Sequence, residues 1–257
     1  MKVTLVNAEW LPVPPVLGGA VEQTLFETAT GIRDPELTAI SAWSEKLGHG
    51  PDYDPAIFYH VHIREEAERA KEILGDHLPP ELKEYNDNKT AKQFYYLRGT
   101  KALLSELNPD VIQVHNRPEL VPGLADAFPT KQMVLYMHNE PYTYVKAYLG
   151  DTVKRVDHLV FVSQFLADRF VARYPEVQNR TAVIHNSVDI DQWDPGLRDS
   201  PEAEEVRQTY GLIPGRTVLF VGRTVQAKGI SFLLKAMEIV QQGMPDVKLL
   251  VVGSPFF

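Results

Sequence analysis

Two cations lie in one short loop in the C-terminal part of the sequence, and their setting is typical of phosphate binding. In the segment TVLFVGRTVQAKG, an apolar run ends at Gly222, and Arg223 and Lys228 follow before a helical pattern begins near Gly229. The apolar run predicts a buried, central parallel strand. Arginine and lysine supply charge and directed donors, and the free N–H groups of a first helical turn favour an anion. We therefore predict a phosphate site here, with solvated surface cations as the alternative.

A glycine pair follows the first predicted strand. Val3 to Asn7 has a buried-strand pattern, and a proline-rich loop from Glu9 to Leu17 leads to Gly18 and Gly19 at the start of a helical pattern. Glycine has no Cβ, so its backbone amide can approach a ligand closely. The spacing differs from the dinucleotide-binding fingerprint G-x-G-x-x-G, which follows its strand through a tight turn. An ordinary helix start is the alternative to a ligand-binding loop.

The same dipeptide ends three further predicted strands: His115-Asn116, His138-Asn139 and His185-Asn186. In open parallel sheets, ligands bind outside the carboxyl ends of the strands. Loop capping or coincidence could explain any one pair alone. Their repetition favours a polar cleft at that edge of the sheet.

The sequence offers no convincing set of metal ligands. His60 and His62 share one strand face by alternation, but no third ligand accompanies them. Asp189 and Asp191 lie in a loop rich in turn residues, and the chain has no cysteine for thiolate sites or disulfides. We expect no bound metal.

Alternating strands and helices organise these motifs and predict a doubly wound parallel α/β sheet. The further predicted strands are Leu37 to Ala42, Ile57 to Ile63, Val111 to His115, Met133 to His138, Leu159 to Ser163, Ala182 to His185 and Val247 to Val252. The predicted helices are Glu65 to Leu74, Thr90 to Leu107, one ending near Arg155, Gln164 to Tyr174, Pro201 to Tyr210 and Gly229 to Gln241.

Proline and glycine divide the chain into regions. Residues 1–188 form one predicted Rossmann-like domain, and residues 189–215 form a linker with a short acidic helix. Residues 216–257 contain only a strand, a helix and a strand, so we expect an incomplete second domain with uncovered apolar faces.

Composition limits the classes of partner. A net charge of -8 and a pI near 5.5 argue against a broad nucleic-acid surface, and 44% hydrophobic residues allow a sizeable core. The first residues are too short for the apolar part of a signal peptide, and no apolar run approaches the length of a membrane span. We expect a cytoplasmic protein.

In their order along the chain, these motifs resemble the retaining glycosyltransferases of family 4, whose GT-B fold has two facing Rossmann-like domains. The matching segments are the Gly18-Gly19 loop, YMHNE, VSQFLADRF, VIHNSVD and VGRTVQAKG. The spellings LPVPPVLGGAVE, VHNRPELVP, MHNEPY and LLVVGSPFF are similar to the spore-coat protein SA-like branch, so spore-coat association is an alternative to a purely cytoplasmic location.

The resemblance implies a role for several residues. Gly19, in the loop with Gly18, would meet the diphosphate of a nucleotide-sugar donor, and Arg223 and Lys228 would bind the same phosphates and stabilise the leaving group. His138 would contact the transferred hexose. The family is held to retain anomeric configuration without a metal or other cofactor. A glycan or small-molecule acceptor would dock against loop residues that follow strands, namely Glu9, Asn116, Arg117, Asn139 and Glu140, for which caps or ion pairs are the alternative.

One departure from the family limits these expectations. The E-x7-E motif that holds the donor sugar and ribose belongs to a part of the second domain that residues 216–257 do not include. We therefore expect this polypeptide alone to be a truncated form with little activity. A non-catalytic carbohydrate- or nucleotide-binding coat protein of the same fold is the alternative function. A Rossmann oxidoreductase or epimerase is disfavoured, because no strand is followed by a tight G-x-G-x-x-G turn.

Overall fold

The protein is represented by a computed structural model, which describes residues 1–32, 34, 36–83, 88–140, 146–190 and 193–255. The chain divides into two compact units, Met1–Ser187 and Val188–Phe257. Each unit is an α/β structure.

The first unit is built on a seven-stranded parallel sheet with the strand order β3-β2-β1-β4-β5-β6-β7. Its strands are β1 (Val3–Val6), β2 (Leu37–Ala42), β3 (Phe58–Val61), β4 (Val111–His115), β5 (Gln132–Met137), β6 (His158–Phe161) and β7 (Thr181–Val183). The order reverses direction at β1, with β2 on one side and β4 on the other. This reversal is the topological switch point of a doubly wound sheet, where ligand crevices form.

Helices connect these parallel strands. They are α1 (Ala20–Ile32), α2 (Ile63–Leu74), α3 (Pro80–Lys83), α4 (Lys89–Leu107), α5 (Val121–Ala127), α6 (Lys146–Arg155) and α7 (Gln164–Arg173). Local sequence explains several boundaries. The Asn88 side chain accepts hydrogen bonds from the first turn of α4, and the Ser163 side chain accepts one from the first turn of α7.

Both faces of the sheet are covered, as the pattern of buried residues shows. Leu5 and Ala39 belong to a core cluster that includes Leu25 of α1, whereas their chain neighbours Val6 and Ile40 belong to a larger cluster. Successive side chains of a strand point to opposite faces, so these neighbours pack on opposite sides. The predicted doubly wound parallel fold is therefore confirmed in this unit.

Three predicted strands extend two residues too far: those expected to end at Ile63, Ser163 and His185 end at Val61, Phe161 and Val183. The last of these affects a candidate site. The strand expected from Ala182 to His185 is β7, which ends at Val183, so His185 and Asn186 lie beyond the ladder. The His185 ring instead hydrogen-bonds the Val162 carbonyl at 3.0 Å. The third His-Asn pair is thus displaced from the strand end, unlike the pairs after β4 and β5.

The second unit contains α8 (Pro201–Tyr210), β8 (Thr217–Val221), α9 (Ile230–Gly243) and β9 (Lys248–Val252). Strand β8 pairs in parallel with β9. The prediction of a buried, central β8 is wrong for the described residues, because Leu219 is 59% exposed and Val221 is 70% exposed. In this unit the helix covers only part of the apolar surface, and Phe232 of α9 is itself 74% exposed.

Candidate active site

The Gly18-Gly19 loop connects β1 to α1 in a backbone conformation that favours glycine. Gly18 has φ of +80° and Gly19 has φ of +108°. A Cβ on Gly19 would lie 2.0 Å from Oε2 of Glu22 and 2.9 Å from Cδ1 of Leu11, whereas a Cβ on Gly18 would meet nothing within 4 Å. Conformation therefore favours glycine at both positions, and a Cβ on Gly19 would in addition force the Glu22 and Leu11 side chains to move.

The carboxyl group of Glu22 occupies the first turn of α1, beside Gly19. It is buried, and its Oε1 accepts a hydrogen bond of 3.0 Å from Nδ2 of Asn7, which follows β1. Burial raises the pKa of Glu22, and the Asn7 hydrogen bond opposes that rise. A raised pKa favours the uncharged carboxyl, which is the form compatible with an anion bound at the same helix terminus.

An ion cluster joins the loops after β1 and β4 at the switch point. The Arg117 guanidinium contacts the carboxylate of Glu9 and lies 2.6 Å from that of Glu119. The Glu9 side chain is fully buried, and the Glu119 side chain is 7% exposed. Burial raises the pKa of both carboxyl groups, while the charge of Arg117 opposes the rise. Two buried acids around one cation make a polar site that favours hydrogen-bond donors.

Aromatic and cationic groups lie against this cluster. The ring of Trp10 is 44% exposed, and the Arg117 guanidinium lies 5.6 Å from its centroid. The ammonium of Lys89, at the start of α4, lies 5.8 Å from the same centroid. Sequence reasoning found Glu9 and Arg117 but missed Glu119, Trp10 and Glu22. The position of Glu119 two residues after Arg117 was the available signal.

A chain of hydrogen bonds and stacked rings joins the ends of β4 and β5. His115 Nδ1 lies 3.0 Å from His138 Nε2, and His115 Nε2 lies 2.8 Å from Nε2 of Gln113. The Tyr136 ring stacks on His138 with centroids 4.7 Å apart. Burial lowers the pKa of His115 well below its ordinary value and that of His138 to about 4, so both rings are neutral at pH 7.

The turn after β5 is held by Asn116. This residue has φ of +57°, and its Oδ1 accepts the backbone N–H groups of His138 at 3.0 Å and of Asn139 at 3.1 Å. Its side-chain oxygen therefore fixes the backbone that presents His138. Asn139 is exposed, and the Glu140 carboxylate forms a 2.8 Å ion pair with Arg169 of α7. The five acceptor candidates thus include two pairs in direct contact, Glu9 with Arg117 and Asn116 with Asn139.

In the second unit, Arg223 and Lys228 are exposed residues of the loop between β8 and α9. Gly222, at the start of this loop, is packed tightly on Gly253, because a Cβ on Gly253 would lie 1.9 Å from the Gly222 carbonyl oxygen. Gly229 has φ of +76° and directly precedes α9. The predicted strand, glycine turn, cations and helix start are thus all present within this unit.

Metal-ligand clusters and membrane-spanning helices are both absent from the described residues. These residues contain no group of three or more His, Asp or Glu side chains arranged to hold a metal ion, and Asp191 of the D-x-D spelling lies outside them. None of the helices in the described part of the chain is both long and apolar enough to cross a membrane.

Comparison with known proteins adds a family match to this geometry. A family model described as Glycosyltransferase Family 4 matches residues 52–192. Along its full length the chain is 28% identical to Spore coat protein SA of Bacillus subtilis (strain 168), and it spans 62% of that relative's length.

Solved structures share the fold at low sequence identity. Sucrose-phosphate synthase from Thermosynechococcus elongatus matches with a TM-score of 0.67 at 13% identity, over 98% of this chain and 62% of that one. UDP-N-acetylglucosamine 2-epimerase from Rickettsia bellii matches with a TM-score of 0.58 at 8% identity, over 98% of this chain and 61% of that one. At such identities the likeness concerns the fold alone, and the predicted GT-B fold is confirmed.

Proposed function

Since the chain belongs to Glycosyltransferase Family 4, we propose that the protein containing it transfers a hexose from a nucleotide-diphosphate sugar to an acceptor. The transfer retains the anomeric configuration and needs no bound metal. Two curated relatives match the whole chain, which spans 62% and 57% of their lengths, so this proposal concerns a longer protein that contains the chain.

The Gly19 loop is the observation that supports this function most strongly. Gly19 combines φ of +108° with a neighbourhood in which a Cβ would displace the Glu22 and Leu11 side chains, and it directly precedes the first turn of α1. A backbone amide free of side-chain bulk at a helix N-terminus suits a diphosphate. Arg223 and Lys228 of the second unit are proposed to bind phosphate of the donor, and their positive charge would stabilise the departing nucleoside diphosphate.

We propose the Glu9, Arg117 and Glu119 cluster as part of the acceptor site. Acceptor hydroxyl groups are hydrogen-bond donors, and the two carboxyl groups supply acceptor oxygens at the switch point. His138 would contact the transferred sugar from the neighbouring strand end. Asn116 would contribute by fixing the turn that contains His138, and Asn139 and Glu140 remain outer candidates.

The 257 residues alone are proposed to have little activity. In the second unit, apolar side chains on both β8 and α9 are exposed, including Val221 at 70% and Phe232 at 74%. Such surface is normally covered in a stable domain. This exposed apolar surface supports the proposal that the nucleotide-binding domain needs further residues besides 188–257 to be complete. We place the protein in the cytoplasm or on the spore coat, the latter because one relative is named Spore coat protein SA.

Donor binding by the longer protein tests the function directly. UDP-, GDP- and ADP-sugars are screened by thermal shift, since a ligand that binds the folded state stabilises it. One donor class should raise the melting temperature, and Arg223→Ala with Lys228→Ala should abolish that shift. Lys235→Ala is the matched control, because it removes an exposed lysine of the same unit on α9.

Turnover then separates an enzyme from a binding protein. The longer protein should consume the bound donor, give a product with the donor's anomeric configuration, and be unaffected by a chelator. The 257-residue chain should show little turnover in the same assay. Saturable donor binding by the longer protein without turnover for any acceptor would instead support the non-catalytic coat protein.

A further inference from the structure

The His138 ring is part of a continuous chain of hydrogen bonds that begins on the neighbouring strand. Gln113 and His115 lie two residues apart on β4, so their side chains share one face of the sheet. In the β4–β5 register His115 is opposite Tyr136, which places His138 beside it. The chain runs from Gln113 Nε2 to His115 Nε2 at 2.8 Å and from His115 Nδ1 to His138 Nε2 at 3.0 Å.

The direction of each hydrogen bond follows from the kinds of atom involved. The Nε2 group of Gln113 is an amide NH2, which only donates, so His115 Nε2 must accept. A neutral imidazole has one N–H and one lone pair, so the proton of His115 is on Nδ1 and is donated to His138 Nε2. The lone pair on His138 Nε2 accepts this hydrogen bond, so the proton of the neutral His138 ring is on Nδ1.

We infer that Gln113 and His115 are positioning residues that hold His138 as a hydrogen-bond donor through Nδ1 and prevent it from acting as a proton acceptor. This inference deepens the proposed function, because the group that receives the hydrogen bond is an oxygen of the transferred sugar.

Burial, the Asn186 contact and the stacked Tyr136 ring agree with this assignment. Both rings are uncharged at pH 7, because burial lowers the pKa of His138 to about 4 and that of His115 well below its ordinary value. The Asn186 side chain also hydrogen-bonds His138, and an oxygen of the transferred sugar would replace it at Nδ1. The stacked Tyr136 ring limits rotation of His138, and its own hydroxyl donates to the Ile184 carbonyl at 2.9 Å.

The arrangement has a mechanistic consequence. A general base needs a free lone pair within reach of the proton that it abstracts. His138 has its lone pair engaged by His115, so it can orient the sugar but cannot deprotonate the acceptor. The proton of the acceptor must therefore pass to another group, such as an oxygen of the leaving diphosphate.

The test is the tautomer of His138, observed by long-range ¹H–¹⁵N NMR of the ring nitrogens at pH 7. The chain has eight histidines, and His115→Gln and His138→Gln identify the two relevant ring systems. In the unsubstituted chain both rings should have a protonated Nδ1 and an unprotonated Nε2. A His138 ring that is charged, protonated on Nε2, or a mixture of tautomers would overturn the inference.

Gln113→Glu should reverse the direction of the hydrogen bonds between residue 113, His115 and His138 with almost no change in the shape of the side chain. A carboxylate only accepts, so His115 should become protonated on Nε2, accept at Nδ1, and thereby place the His138 proton on Nε2. Gln132→Glu is the matched control, because it makes the same change at an exposed residue of β5 and should leave both rings unchanged. Retention of the Nδ1 proton on His138 in folded Gln113→Glu would refute the positioning role.

Gln113→Met provides a second test of the same inference if the Gln113→Glu variant does not fold. Methionine cannot donate to His115, so the rings should become a mixture of the two tautomers. A single unchanged tautomer would contradict the inference. The NMR measurement needs no ligand, so it can fail or succeed separately from the donor-binding and turnover assays.

Discussion

Gly18 and Gly19 are adjacent, both have positive φ, and only one of them lacks room for a side chain. Replacing each by alanine therefore separates backbone strain from close packing. Left-handed backbone costs an L-residue about 1–2 kcal/mol, and the loss of unfolded-state entropy on changing glycine to alanine offsets about 0.4–1 kcal/mol of that. Gly18→Ala meets no atom within 4 Å, so its destabilisation should be limited to about 1 kcal/mol.

Gly19→Ala should cost more, because its Cβ would lie 2.0 Å from Oε2 of Glu22. The Glu22 carboxyl must move, and it is buried and bonded to Asn7. Losing a buried hydrogen bond costs about 1–3 kcal/mol, which is the expected excess of Gly19→Ala over Gly18→Ala. Urea unfolding measures both, followed by tryptophan fluorescence, since Trp10 and Trp43 belong to the first unit.

A double-mutant cycle identifies the cause of that excess. In a Glu22→Ala background the clashing oxygen is absent, so Gly19→Ala should recover about 1–2 kcal/mol of its cost while the contact with Leu11 persists. Equal costs for Gly18→Ala and Gly19→Ala would refute the claim that space is limiting. An unchanged cost of Gly19→Ala in the Glu22→Ala background would show that the carboxyl is not the obstacle.

Two further predictions concern a second glycine pair and a buried acid. Gly253→Ala should destabilise the β8–β9 pair far more than Gly222→Ala, because only the first places a Cβ 1.9 Å from a backbone oxygen, and hydrogen exchange of the β9 amides would detect it. Equal exchange in the two variants would contradict this. Burial raises the pKa of Glu22, so the folded state binds its proton more readily than the unfolded state, and the free energy of unfolding should fall as pH rises above about 4.5. Glu22→Gln should reduce that fall between pH 4 and 7 in urea titrations, and an identical pH dependence would refute it.

The secondary structure follows from local sequence wherever caps and periodicity agree. Helix α8 has the predicted bounds, Pro201–Tyr210, because Ser200 caps its N-terminus, proline begins it, and Gly211 in the left-handed region ends it. The alternating elements also determine the doubly wound parallel sheet. Burial was less predictable: the apolar run of β8 is typical of a central strand, yet a run of sequence does not specify what covers each face.

The site was predictable to the level of strand ends but not of contacts. His138 and Asn116 were found because they follow adjacent strands, whereas the hydrogen bond between Asn116 and the His138 amide depends on the β4–β5 register. Glu22 appears in the sequence as an ordinary acid in a first helical turn. Its significance arises from the missing Cβ of Gly19, three residues earlier, and from the buried hydrogen bond with Asn7 of the preceding strand end.

The same dependence on register explains why Gln113 escaped sequence analysis. No sequence motif distinguishes a functional glutamine inside a buried strand from an ordinary one. The dipeptide His115-Asn116 instead indicates the end of the strand as the functional position. Once β4 and β5 pair, the alternation of side chains brings Gln113, His115 and His138 onto one continuous path. The two residues of the dipeptide thus have different roles. Asn116 fixes the backbone at the end of β5, and His115 determines which nitrogen of the His138 ring carries the proton.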